Sequence, residues 1–67
     1  MEVTVNQQNF IVPDNCNVQV LLADVLQHPD RGLAIAINEA IVPKTLWENH
    51  KLNQGDKVII IKATQGG

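Results

Sequence analysis

The chain has 67 residues, 45% of them apolar and 18% charged, with a formal net charge of -2. That composition excludes an intrinsically disordered chain and allows one small domain. No basic run supports nucleic-acid binding through phosphate neutralisation, and no apolar run approaches the ~20 residues of a membrane span.

A single cysteine, Cys16, cannot staple its own chain, and the histidines are too few and too scattered for a zinc site. A domain this small must therefore rest on a packed core, and no bound cofactor or metal is expected. Met1-Glu2-Val3-Thr4 has no basic segment followed by an apolar one, so a cytoplasmic, reducing setting is expected.

Glu2 to Asn6 alternates polar and apolar, with Val3 and Val5 on one face, the period of a strand. Asn6-Gln7-Gln8-Asn9 reads as a polar turn and Phe10-Ile11-Val12 as a second strand closed by Pro13-Asp14-Asn15. Val18, Leu21, Leu22 and Val25 then recur at i, i+3, i+4 and i+7, which predicts a helix capped by Asn17. Pro29 disfavours helical dihedrals at His28, so the helix is expected to end near Gln27. Leu33 to Ile37 places large residues on one face and alanines on the other, as an inner strand does. Asn38-Glu39 is a turn and Ala40-Ile41-Val42 a short extended piece. Pro43 to Trp47 is a helical turn, Leu52 a core residue, Asn53 to Asp56 a turn, and Lys57 to Ala63 the last strand.

One helix cannot bury its apolar stripe alone, so it should lie across one face of the sheet. With this order the first and last strands can pair in parallel at the centre. The expected class is α+β, a β-grasp with a mixed sheet of four to five strands and one main helix. The domain spans 1–63, with a flexible tail over 64–67.

Several residues together carry a resemblance over the full length. They are Ala36-Ile37-Asn38, Ile41-Val42-Pro43-Lys44, Trp47, Gly55-Asp56 and the terminal Gly66-Gly67. On these the chain resembles the ThiS family of thiamine-biosynthesis sulfur carriers, within the ubiquitin-like superfamily. Lys44 stands where the family often has arginine, which keeps the charge and loses a forked contact.

The resemblance implies a protein co-substrate rather than an enzyme. An E1-like adenylyltransferase (ThiF), using ATP and Mg, joins Gly67 to AMP. A persulfide or other sulfur donor then converts Gly67 to a thiocarboxylate, which passes its sulfur to thiazole synthase (ThiG). Gly66 and Gln65 belong to the tail that enters the partner sites; glycines there let other groups approach the backbone closely. Residues 64–67 reach roughly 13 Å when extended. The free chain is expected to be a monomer.

A docking face is also expected. Because burying Lys62 would be costly, Val58, Ile60 and Lys62 are placed outward and Ile59, Ile61 and Ala63 toward the helix. Val58 and Ile60, extended by Ala34 and Ala36, would then form an apolar patch on the open sheet face.

Other residues have plainer explanations. Cys16 precedes the N-cap and can pack on Leu21, with nothing cationic beside it to activate a thiolate. His28 and His50 read as solvated loop residues and Trp47 as packing under the Pro43 turn. Asp24, Glu39, Glu48 and Asp56 make no acid/base pair, and Asp56 reads as serving its turn. The competing functions are a molybdopterin-synthase small subunit, a ubiquitin-like protein modifier, and an interaction module with an inert tail.

Overall fold

The computed structural model describes residues 1–27 and 32–62. Five strands form one sheet: β1 (Glu2–Val5), β2 (Gln8–Ile11), β3 (Leu33–Ile37), β4 (Ala40–Val42) and β5 (Lys57–Lys62), in the order β2-β1-β5-β3-β4. β1 and β5 pair in parallel at the centre and every other pair is antiparallel. The fold is a β-grasp, as expected.

The β1–β2 hairpin is tighter than the sequence suggests. Val5 pairs with Gln8, so only Asn6 and Gln7 turn, at φ 50° and 72°. Positive φ at both central positions is the type I′ pattern, whose twist matches that of the flanking strands. Gln8 and Asn9 are thus edge-strand residues opposite Val5 and Thr4, with their polar side chains in solvent. Asn38 and Glu39, at φ 51° and 74°, make the same kind of turn between β3 and β4.

The helix begins at Asn17, whose Oδ1 accepts from Val20 N at 2.7 Å. Val18–Val20 (α1) is α-helical; Leu21–Val25 widens to a π-turn in which Leu26 N donates to Leu21 O at 2.9 Å. Gln27 then adopts φ 51°, a left-handed stop at the place expected. Val18, Leu21 and Leu22 are buried and Val25 packs on the core, so the predicted stripe is the one that faces the sheet.

The free N–H groups of the first turn are met by the segment around Trp47 as well as by Asn17. Val18 N donates to His50 O and Gln19 N to Trp47 O, while Asn17 Nδ2 donates to Glu48 O. Trp47 itself is buried, and its Nε1 donates to Val42 O at 2.9 Å. The stretch that looks most family-specific in the sequence therefore braces the start of the helix from beneath the 3₁₀ turn Lys44–Leu46. Cys16 is buried in the same core as Leu21; burial and the nearby Asp24 carboxylate push its thiol above its ordinary pKa. No described helix is long and apolar enough to cross a membrane.

Candidate functional site

β5 is the last described element before residues 63–67. It enters from the turn Asn53 to Asp56, where Asp56 N donates to Asn53 O at 3.0 Å and Gly55 holds φ 84°. No atom would meet a Cβ at Gly55, so glycine serves the left-handed dihedral there and not a close contact.

Asp56 is buried, and its two carboxylate oxygens are both engaged: Oδ2 accepts from Asn53 N at 2.8 Å and Oδ1 from Asn38 Nδ2 at 3.0 Å. Asn38 Oδ1 in turn accepts from Lys57 N at 3.0 Å. Asp56 thus serves its turn, as the sequence suggests, and also ties that turn to the one after β3.

Further along, β5 is paired with β3 through Leu33 and Lys62, but with β1 only through Val5 and Val58. On the β1 side the next backbone donor, Ile60 N, is taken by the side chain of Asn6, with Oδ1 at 2.8 Å.

The expected docking face must be corrected. Val58 is 0% exposed and Ile60 packs against the core, whereas Ile59 and Ile61 are 39% and 48% exposed. The register explains why. Val58, Ile60 and Lys62 stand opposite Ile37, Ile35 and Leu33, the large residues of β3, and so share their inward face. Lys62 has that inward parity yet is exposed, because it lies at the strand end. A lysine there imposes no cost and carries no information about the strand's faces. Lys57, of opposite parity at the start of the strand, points to the correct face.

The open face instead carries Ile59 and Ile61, cross-strand from Ala36 and Ala34, with Ile41 (63% exposed) beyond Ala36. The two alanines belong to the open face, as expected. The sequence reasoning missed Ile59, Ile61 and Ile41, although the alanine stripe combined with Lys57 was a usable signal.

Gly67, Gly66, Gln65 and Ala63 lie outside the described residues, as does His28. Among the described residues no group of three His, Cys, Asp or Glu side chains could hold a metal ion.

The comparisons agree with one another. The family model described as the ThiS family matches residues 1–67. The sulfur carrier protein ThiS of Escherichia coli strain K12 is 31% identical over 67 residues, covering 100% of both chains. The crystal structure of the thiamine biosynthesis protein ThiS from Geobacter metallireducens superposes with a TM-score of 0.86 at 22% identity, covering 100% of each chain, and supports the fold. The chain belongs to the ThiS family, whose members are small sulfur carriers rather than enzymes.

Proposed function

We propose that the chain carries sulfur for thiazole formation in thiamine biosynthesis, as a thiocarboxylate on Gly67. The observation that carries the reading is the match of the ThiS family model over residues 1–67, a span that includes the Gly66-Gly67 pair. The α-carboxyl, with a reference pKa of roughly 3.3–3.7, is an anion at neutral pH and a poor electrophile. A carboxylate oxygen attacks the α-phosphorus of ATP, pyrophosphate leaves, and the carbonyl becomes an acyl-adenylate. A persulfide attacks that carbonyl and AMP leaves, giving an acyl disulfide. A thiol then reduces the disulfide, releasing the thiocarboxylate. The activating enzyme uses ATP and Mg, and the sulfur passes on to a thiazole synthase. This chain supplies the acyl group and the surface by which it is handled.

That surface is the open face of the sheet. Ile59, Ile61 and Ile41 form an apolar patch floored by Ala34 and Ala36, beside the strand that leads directly into 63–67. The cytoplasm, where ATP is available, is the setting this chemistry needs.

The test is the intact mass of the chain after incubation with ATP, Mg, an E1-like adenylyltransferase and a sulfur donor, beside a Gly67-deleted control. A gain equal to one oxygen replaced by sulfur, seen only with Gly67 present, is the expected result. No gain with an enzyme competent on another carrier would overturn the reading.

A further inference from the structure

The backbone ladder between β1 and β5 stops where β1 enters its left-handed turn. Thr4 N donates to Asp56 O at 3.0 Å and Asn6 N to Val58 O at 2.9 Å. By the alternation of a strand, the next β5 group on that side is Ile60 N. No β1 residue remains to meet it, since the chain reverses through Asn6 and Gln7 into β2. The Asn6 side chain fills the gap by accepting from Ile60 N at 2.8 Å, across 54 residues of sequence.

We infer that Asn6 is a positioning residue for the reaction at Gly67: its amide oxygen is the last rung among the described residues on the β1 side of β5 and fixes the strand end that precedes residues 63–67. The inference rests on the sulfur-carrier reading above.

The residue type fits the task. At φ 50° asparagine is among the few residues that tolerate the left-handed region, and unlike glycine it brings an acceptor to the open edge. The next position, Gln7, holds φ 72° without being glycine, so the turn keeps a strained backbone where an Asn-Gly pair would relax it. Seven residues separate Ile60 from Gly67, a reach of at most roughly 24 Å, so the place where the strand end is held bounds where the terminus can be presented. Reacting atoms must approach to about 3–3.5 Å, and a misplacement of about 1 Å can cost a hundredfold. β3 holds the other edge of β5 and the Ile60 side chain packs on the core, so on the β1 side the Asn6 bond is what completes the hold on the strand end.

Two substitutions separate the rung from the turn. Asn6→Gly keeps the positive φ and deletes the acceptor; Asn6→Asp keeps both. Each is assayed beside the unaltered chain for adenylate formation by an E1-like adenylyltransferase, with kcat and KM for the carrier measured separately and the exchange rate of the Ile60 amide followed by NMR. The expected result for Asn6→Gly is a kcat lowered about tenfold with KM within about twofold, together with faster Ile60 exchange. Asn6→Asp restores both.

An Asn6→Gly chain with unaltered kcat overturns the inference and leaves the carrier reading standing. So does an Asn6→Asp chain as slow as Asn6→Gly, or an Asn6→Gly chain unfolded at the assay temperature, which would make Asn6 a residue of the fold alone. An unaltered chain that forms no adenylate removes the carrier reading and this inference with it.

Discussion

β5 is held in opposite ways at its two ends. Where it enters the sheet, Asp56 and Asn38 contribute three side-chain hydrogen bonds, one carboxylate is buried, and the adjoining turn is tied to β1 by Gly55 N donating to Glu2 O at 2.7 Å. At the end that precedes residues 63–67, one solvent-exposed bond among the described residues, Ile60 N donating to Asn6 Oδ1, stands on the β1 side. The contrast teaches how a carrier of this size divides its constraints. The entry end is fixed by several side-chain bonds, whereas the exit end keeps the β3 ladder on one edge and, among the described residues, one side-chain bond on the other.

The largest expected effect lies at the entry end. Asp56→Ala removes the buried carboxylate that accepts two part-buried hydrogen bonds, from Asn53 N and Asn38 Nδ2, and should cost about 3 kcal/mol in urea denaturation. A loss no greater than that of Asn6→Gly would break the comparison.

Next comes the pair that tests the faces of the strand. Ile60→Asp should destabilise by about 2 kcal/mol or more, because it sets a carboxylate against the core. Ile61→Asp should melt within a few degrees of the unaltered chain yet weaken activation about tenfold through the open face. Equal melting losses for the two would contradict the assigned faces.

Gln7→Gly and Glu39→Gly relieve left-handed residues and should each stabilise the chain by up to about 1 kcal/mol, the gain being reduced by the greater freedom of glycine in the unfolded chain. Thermal melts of the two variants check this.

The smallest effect concerns Cys16. Its thiol pKa is raised in the folded state, so the folded chain holds the proton more tightly than the unfolded one. That contribution is complete below the unfolded thiol pKa and is lost as pH rises through the folded one. Urea midpoints taken from about pH 8 to about pH 10 should fall, and Cys16→Ala should flatten that slope.

Local patterns made much of the fold legible. The helical stripe at Val18, Leu21, Leu22 and Val25, the cap at Asn17, and the division of β3 into alanine and branched faces each follow from periodicity or from a backbone donor awaiting a partner. The hairpin was less legible: Gln8 and Asn9 read as turn because polar residues are tolerated equally in a turn and on an edge strand.

The docking face failed for a sharper reason. β5 is apolar on both sides between two lysines of opposite parity, so its sequence is nearly symmetric with respect to the two faces. Only pairing with β3 breaks that symmetry.

By itself, then, the sequence determined the β-grasp order, the helix and its buried stripe, and the family. Tertiary structure alone decided which side of β5 meets the core, and it alone brought Asn6 to Ile60 and Asn38 to Asp56. Periodicity is written within a segment, whereas register and side-chain rungs join residues tens of positions apart and exist only once the strands have paired.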